Sequence, residues 1–127
     1  MIEPIDKQTV LIVDDTPDNI QLLSALLRDQ YRTKVAINGF KALEIAATAP
    51  RPDLILMDVM MPEMDGYETT QKIRREHKNS SLPIIAVTAK AMKGDRQKCI
   101  EAGASDYITK PLKIDQLLSL MRMWFYK

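Results

Sequence analysis

Five side chains that could take part in chemistry stand directly after short apolar segments of this sequence. Asp14 and Asp15 follow the first segment, and Asp58 follows a second. Thr88 follows a third segment, and Lys110 follows a weaker, later one. If those segments are parallel strands, their carboxyl ends meet at one edge of a sheet, where open α/β sheets bind ligands. The pattern therefore predicts that three carboxylates, one hydroxyl and one ammonium group converge in a single shallow pocket.

Three carboxylates in one pocket repel one another, and without a partner at least one would be driven towards its protonated form. A divalent cation removes that repulsion. Because the pattern brings together hard oxygen ligands with no His or Cys nearby, it favours Mg²⁺ or Mn²⁺ over zinc. Mg²⁺ prefers sites that it shares with a phosphate, and Lys110 adds a second positive charge. A cation and a lysine beside a carboxylate are suited to phosphoryl transfer to that carboxylate.

Each of these residues also has an ordinary structural interpretation. Asp14 and Asp15 could cap the helix that follows them, and Asp58 could begin a turn. Thr88 alone could be a cap or turn residue, and Lys110 alone could be a solvated surface lysine. Because residues suited to one reaction follow four different predicted strands, the functional interpretation is favoured over four separate structural ones.

The composition is that of a single globular domain covering residues 1–127, with a core from about residue 8. Hydrophobic residues make up 46% of the chain, and 18 basic against 17 acidic residues give a formal net charge of +1. This balance favours neither nucleic acid nor an anionic membrane as a direct partner. The single cysteine, Cys99, excludes an internal disulfide. No apolar run approaches the roughly 20 residues that span a bilayer, and the N-terminus is unlike a signal peptide. We therefore expect a cytoplasmic protein.

Short apolar runs alternate with amphipathic stretches along the chain. The runs Val10–Val13, Leu54–Met57 and Ile84–Val87 are continuous, which is typical of strands covered on both faces. Thr33–Ile37 and Asp106–Thr109 are weaker strand candidates. The resulting order of elements, βαβαβαβαβα, predicts a three-layer α/β sandwich with five helices around a five-stranded parallel sheet.

The helices are predicted from their caps and apolar spacing. Thr16 caps the first, which begins at Pro17, and Asn38 caps the second. The third follows Gly66, which would let the backbone turn into it, and the fourth runs from about position 91 to a stop at Gly103. The predicted apolar faces of the first, second and last helices are Ile20, Leu23 and Leu27; Phe40, Leu43 and Ala47; and Ile114, Leu117, Leu118, Met121, Trp124 and Phe125.

With these elements placed, the motifs of the chain resemble those of the receiver domains of two-component response regulators, which have the CheY-like fold. The matching segments are LIVDDTPDN, LILMDVMMPEMDG, IIAVTA and DYITKPL, spread from about Val10 to the final helix. The segment MKGDRQKCIEAGASDYITKPL resembles receivers attached to hybrid histidine kinases more than those of DNA-binding regulators. The resemblance implies the flavodoxin-like strand order 2-1-3-4-5, an order already described for CheY.

The resemblance also implies a set of metal ligands. Asp15 and Asp58 would bind Mg²⁺ directly, joined by the backbone carbonyl of Met60, and Mn²⁺ could replace Mg²⁺. Asp14 would act largely through water. The irregular segment after Asp58 would then wrap the metal.

Roles in phosphoryl transfer follow from the same resemblance. Asp58 would be the phosphoacceptor, and Thr88 and Lys110 would hold the phosphoryl oxygens. The backbone N–H groups of Val59 and Ala89 could also reach them. The donor would be a phosphohistidine on a histidine kinase or a histidine phosphotransfer domain, whereas the downstream target is not indicated.

The resemblance further implies a switch made of Thr88 and Tyr107, in which movement of the threonine towards a phosphoryl group changes the position of the aromatic ring. It also implies that the Lys110–Pro111 peptide bond is cis, an isomer found in only about 5–6% of X–Pro bonds in folded proteins.

Two other classes of protein use related residues. A haloacid-dehalogenase-type phosphatase also combines an aspartyl phosphate, Mg²⁺, Thr and Lys, but it needs Asp-x-Asp after the first strand. Here Asp14 and Asp15 are adjacent, and the candidate nucleophile Asp58 follows the third strand. A receiver-like interaction domain that no longer takes phosphate is the second alternative, against which the intact set of acids argues. We therefore expect a phosphorylatable signalling switch rather than a turnover enzyme, either a stand-alone regulator or a part of a larger protein.

Overall fold

The computed structural model describes residues 7–77, 81–89 and 93–126. Within these ranges the elements are β1 (Thr9–Val13), α1 (Pro17–Leu27), β2 (Arg32–Ala36), α2 (Gly39–Ala47), β3 (Leu54–Asp58), α3 (Gly66–His77), β4 (Ile84–Thr88), α4 (Lys93–Ala102), β5 (Asp106–Thr109) and α5 (Ile114–Phe125). The predicted alternation of strands and helices is confirmed, although the predicted start of the fourth helix near Ala91 lies outside the described residues. None of the helices in these ranges has the length and apolar character that crossing a bilayer requires.

The five strands form one parallel sheet in the predicted order, β2-β1-β3-β4-β5. Every residue of β1, β3 and β4 is buried, because helices cover both faces of the sheet. From β1 the chain moves to one edge through β2 and then crosses to β3 on the other side. The carboxyl ends of β1 and β3 therefore flank the point where the strand order reverses, which is where open α/β sheets bind ligands.

The two faces of the sheet carry separate apolar cores. Because successive side chains of a strand point to opposite faces, Ile12 and Leu56 join one core, and Leu11 and Ile55 join the other. The first core is completed from α1 and α5 by Ile20, Leu23, Leu27, Leu117 and Met121. The second is completed from α2 and α3 by Ala42, Ala46 and Ile73. The three-layer architecture is thus set by two different groups of helices.

Helix α1 begins at Pro17 as predicted, but the Thr16 side chain does not cap it. Instead, the Thr16 N–H donates a hydrogen bond to Asp14 Oδ1 at 2.9 Å. The carboxylate of Asp14, rather than the threonine hydroxyl, therefore fixes the entry of the chain into α1.

Helix α2 buries a different face from the one predicted. Asn38 caps it as expected, with its side chain accepting a backbone N–H of the first turn at 2.8 Å. The buried face, however, contains Gly39 and Ala42, whereas Phe40 is 56% exposed. Small residues are buried here because α2 lies close to α3, where a Cβ at Gly39 would be 2.4 Å from Thr69 Oγ1.

Two features fix the ends of α4 and α5. Gly103 ends α4 with a φ of 110°, in the left-handed region that favours glycine, so the predicted stop is confirmed. At the end of α5, Trp124 Nε1 donates to Asp106 Oδ2 at 3.0 Å. Asp106 Oδ1 accepts the Tyr107 N–H at 2.8 Å. Asp106 therefore ties the last turn of α5 to the start of β5.

Candidate functional site

The carboxyl ends of β1 and β3 bring three acids together. Asp14 and Asp15 follow β1, and Asp58 is the last residue of β3. Carboxylate oxygens of the three residues lie within 4.8 Å of one another. Asp14 and Asp58 are buried, each 3% exposed, whereas Asp15 is exposed. The predicted convergence of the three acids is confirmed.

Lys110 reaches the same pocket from the segment that follows β5. Its Nζ lies 3.5 Å from Asp58 Oδ1 and 3.8 Å from Asp14 Oδ2. The Lys110–Pro111 peptide bond is cis, as predicted. The ammonium group lies near both buried carboxylates, so it offsets part of their mutual repulsion.

The ionisation of Asp58 is disfavoured by its surroundings. Burial raises the pKa of Asp58 to about 6, and the neighbouring Asp14 carboxylate adds to the rise. The Lys110 ammonium and the Met60 N–H, which is 3.3 Å from Asp58 Oδ1, lower this pKa without cancelling the effect. The charged form of Asp58 is therefore less favourable in the folded protein than in the unfolded chain.

Asp58→Asn should stabilise the fold at pH 7 in buffer without Mg²⁺. The folded pKa of about 6 exceeds the ordinary value of 3.8, so the folded state loses stability as the pH rises through that interval. Above about pH 6 the charged Asp58 carboxylate destabilises the folded state by on the order of 2–3 kcal/mol. Asparagine avoids this cost and keeps the shape of the side chain. Urea unfolding at pH 7 should show the gain, and the difference should shrink below about pH 4. Equal unfolding free energies at pH 7 would contradict this prediction.

The backbone donor beside Asp58 differs from the one that the resemblance implies. The Val59 N–H donates to the Val87 carbonyl at 3.0 Å, so it continues the β3–β4 ladder instead of facing the pocket. The Met60 N–H donates to Asp58 Oδ1 at 3.3 Å. The register explains the difference: Asp58 pairs with Val87, so the next residue is still held by β4. The assignment of Val59 is therefore wrong, and Met60 supplies the N–H at the acid.

Thr88 and Tyr107 lie on the neighbouring strands β4 and β5. Thr88 is the last residue of β4, is 2% exposed and is directly followed by Ala89. Its register partner in β5 is Thr109. Half-buried Tyr107 packs against an apolar cluster formed by Val59, Ala86, Cys99 and Ala104. Tyr107 also lines a surface groove between β5 and α5, so it borders both an interior cluster and the protein surface.

The segment between Asp58 and α3 folds tightly against the end of β3. The Gly66 N–H donates to the Val59 carbonyl at 3.0 Å. A Cβ at Gly66 would lie 2.3 Å from the backbone oxygen of Asp58, so this close approach requires glycine. The left-handed residue of the segment is Glu63, with a φ of 64°. Glycine is thus needed at position 66 for space and not, as the sequence interpretation has it, for its conformational freedom.

The donor set fits a hard divalent cation. The three carboxylates supply only oxygen ligands, which Mg²⁺ and Mn²⁺ prefer. Asp14 already accepts hydrogen bonds on both oxygens, from the Thr16 N–H at 2.9 Å and from Asn19 Nδ2 at 3.3 Å. Asp15, by contrast, is exposed. Asn19, the last residue of the matching segment LIVDDTPDN, has no role in the sequence interpretation, but the structure adds it to this site.

A parallel sheet in this order, with acids, a lysine and a buried hydroxyl at its carboxyl edge, defines the receiver class of two-component signalling proteins. The chain belongs to the response regulator receiver domain family, whose model matches residues 10–122. Domains of this family are generally switches rather than enzymes, and they bind Mg²⁺ at the aspartate cluster. Neither the spacing of the acids nor the relatives support the haloacid-dehalogenase alternative.

The relatives include large multidomain proteins. The chain is 44% identical over 118 residues to a probable cyclic di-GMP phosphodiesterase of Vibrio cholerae. The matched residues make up 93% of the chain and 26% of that protein. It is 42% identical over 114 residues to the signal transduction histidine-protein kinase BarA of Escherichia coli, covering 89% of the chain and 12% of that protein. The chain thus spans about a quarter or less of the length of these relatives.

Solved structures give the same fold over nearly the whole chain. The receiver domain of the sensor histidine kinase PA1611 from Pseudomonas aeruginosa, with a magnesium ion in its active site cleft, has a TM-score of 0.86 and 38% identity, covering 95% of this chain and 99% of that one. The chemotaxis protein CheY4 of Vibrio cholerae has a TM-score of 0.87 and 31% identity, covering 92% and 98%. The resemblance to hybrid-kinase receivers and to the CheY-like fold is confirmed.

Proposed function

We propose that this domain is a phosphoacceptor switch in which Asp58 receives a phosphoryl group from a phosphohistidine. The observation that carries the proposal is the placement of Asp58. It is a buried carboxylate at the strand-order reversal, 3.5 Å from the Lys110 ammonium and clustered with two further acids. The donor is a histidine kinase or a histidine phosphotransfer domain, consistent with relatives that are themselves histidine kinases.

In the proposed reaction, an oxygen of Asp58 attacks the phosphorus in line and the P–N bond to the donor histidine breaks. The products are an aspartyl phosphate and an imidazole, whose ring nitrogen takes up a proton from solvent as the P–N bond breaks. Lys110 would offset the negative charge on the transferring group, and Thr88 and the Met60 N–H would hold its oxygens. Water later hydrolyses the acyl phosphate. The domain thus assists chemistry on itself without turning over a separate substrate.

We further propose that Asp15, Asp58 and the Met60 carbonyl bind Mg²⁺ directly, and that Asp14 acts through water. A bound Mg²⁺ would neutralise charge on the phosphoryl group during transfer, and Mn²⁺ could replace it. The hydrogen bonds already made by both oxygens of Asp14 support its indirect role. The magnesium ion in the cleft of the PA1611 receiver domain supports the choice of metal.

The proposed unit is one receiver domain covering residues 1–127, with its core from about residue 8. Its downstream partner would be a protein that reads the phosphorylated form. A cytoplasmic location stays a prediction of the sequence.

Mass spectrometry tests the proposed function directly. Incubation with acetyl phosphate and Mg²⁺ should add a single phosphoryl group to the intact protein, and hydroxylamine should remove it because the bond is an acyl phosphate. Peptide mapping after borohydride reduction should place the modification in the peptide that contains Asp58. Modification of a different residue, or none at all, would overturn the proposal.

The proposed switch joins Thr88 to Tyr107. Phosphorylation places about two negative charges beside the Thr88 hydroxyl, which can donate to a phosphoryl oxygen by moving towards it. That movement changes the space beside the neighbouring strand β5. Because Tyr107 borders both the interior cluster and the surface groove, it can respond by moving between them.

Thr88→Ala should therefore leave Asp58 phosphorylatable but uncouple it from Tyr107. The measurement is the set of NMR chemical-shift changes at Tyr107 and in α4 on adding beryllofluoride, a phosphate mimic. In the wild type these changes should be large, and in Thr88→Ala they should be confined to the acid pocket. Thr109→Ala, which changes the register partner of Thr88, is the matched control and should respond like the wild type. Wild-type shift changes in Thr88→Ala would show that the coupling takes another route.

A further inference from the structure

The side chain of Asn19 connects α1 to the acid cluster. Its Nδ2 donates to Asp14 Oδ2 at 3.3 Å. The other oxygen, Asp14 Oδ1, accepts the Thr16 N–H at 2.9 Å. The backbone of Asn19 is itself fixed in the first turn of α1, because its N–H donates to the Thr16 carbonyl at 3.1 Å. The carboxylate of Asp14 is therefore held on both oxygens by the start of one helix.

Lys110 lies within reach of two competing carboxylates. Its Nζ is 3.5 Å from Asp58 Oδ1 and 3.8 Å from Asp14 Oδ2. Asp14 Oδ2 is the same oxygen that accepts the Asn19 amide. A hydrogen bond from a neutral amide occupies part of the acceptor capacity of that oxygen and so weakens its hold on the ammonium group. Asn19 thereby favours the position of Lys110 beside Asp58.

We propose that Asn19 is a positioning residue for phosphoryl transfer. By donating to Asp14 Oδ2 it holds in place the carboxylate that acts on the cation through water, and it favours the contact of Lys110 with Asp58. Asn19 acts through Asp14 and touches none of the reacting atoms. This inference rests on the proposed function, and it adds a residue of α1 to the machinery at the strand ends.

Two substitutions of different chemistry test the inference. Asn19→Ala removes the donor, so Mg²⁺ affinity measured by calorimetry should fall several-fold, less than on loss of a direct ligand, because Asp14 acts on the ion through water. The labelling rate with acetyl phosphate at saturating Mg²⁺ should also fall several-fold. Asn19→Asp keeps the shape but adds a fourth carboxylate near the acids. It should bind Mg²⁺ more tightly than Asn19→Ala yet still transfer slowly, because a carboxylate cannot donate to Asp14 Oδ2.

The control is Gln21→Ala, which changes an exposed residue of the same helix and should leave both quantities unchanged. A residue that only stabilises α1 would alter the unfolding free energy alone. If Asn19→Ala loses stability but keeps wild-type Mg²⁺ affinity and labelling rate, the inference is overturned.

A double-mutant cycle separates this inference from the proposed function. In an Asp14→Ala background, Asn19→Ala should have no further effect on Mg²⁺ affinity, because its acceptor has been removed. Additive losses would overturn the route through Asp14. Absence of Asp58 labelling in the wild type would overturn the proposed function instead, while the Mg²⁺ affinities would still decide whether Asn19 acts through Asp14.

Discussion

Asp58→Asn is expected to abolish phosphoryl incorporation from acetyl phosphate. The carboxamide keeps the side-chain volume but offers no anionic oxygen to attack phosphorus. Because the same substitution is predicted to stabilise the fold, loss of labelling cannot be attributed to unfolding. Intact-mass measurement over time should therefore show a folded protein that stays at its unmodified mass.

The matched control for this prediction is Asp53→Asn. Asp53 directly precedes β3, at the opposite end of the strand that carries Asp58, and its Oδ2 accepts the Thr9 N–H at 2.9 Å. Its substitution should leave labelling at the wild-type level. Undiminished labelling of Asp58→Asn would mean that another acid accepts the phosphoryl group, with Asp14 and Asp15 as the neighbouring candidates.

Asp15→Ala is expected to produce the second large effect, a fall in Mg²⁺ affinity of at least about tenfold. Asp15 is exposed and belongs to the cluster whose oxygens lie within 4.8 Å of one another. Its removal takes away a proposed ligand and one of three negative charges, while the packing of β1 is untouched. The unfolding free energy should change by no more than about 0.5 kcal/mol, as for most surface substitutions.

Calorimetric titration with Mg²⁺ is the measurement, and the labelling rate at limiting Mg²⁺ should fall in parallel. Asp18→Ala is the control, since Asp18 is an exposed acid in the first turn of α1 and lies outside the cluster. It removes the same formal charge nearby and should change the Mg²⁺ affinity little. Equal affinities of Asp15→Ala and the wild type would show that the cation site is wrongly assigned.

The fold could be predicted from the sequence because its three central strands are apolar runs bounded by polar residues. The runs Val10–Val13, Leu54–Met57 and Ile84–Val87 lie within β1, β3 and β4, all of which are buried at every position. The last residue of each apolar run also indicates where its strand ends. Because the carboxyl ends of parallel strands lie at one edge of the sheet, the convergence of the acids with Lys110 could also be predicted. The strand order came from the family resemblance and not from the periodicity.

The errors arise from contacts that helical spacing and strand patterns do not encode, two of them between distant backbone segments and one between side chains five residues apart. In α2, the face with Phe40 and the face with Ala42 have equal helical spacing, and only the closeness of α3 decides which is buried. The Val59 N–H is taken by β4, which depends on strand register. Helical spacing alone indicates only that Asn19 is a polar residue of α1. Its contact with Asp14 Oδ2, at 3.3 Å, is seen only in the structure.

The hydrogen bond between Trp124 and Asp106 gives the domain an intrinsic optical reporter. Trp124 is the only tryptophan in the chain, so all indole fluorescence arises from one place. Its partner Asp106 also holds the backbone of Tyr107. A displacement of β5 relative to α5 that breaks this hydrogen bond would change the polarity around the indole and hence its emission wavelength. The conformational response of the unlabelled protein can therefore be followed in real time by stopped-flow spectroscopy.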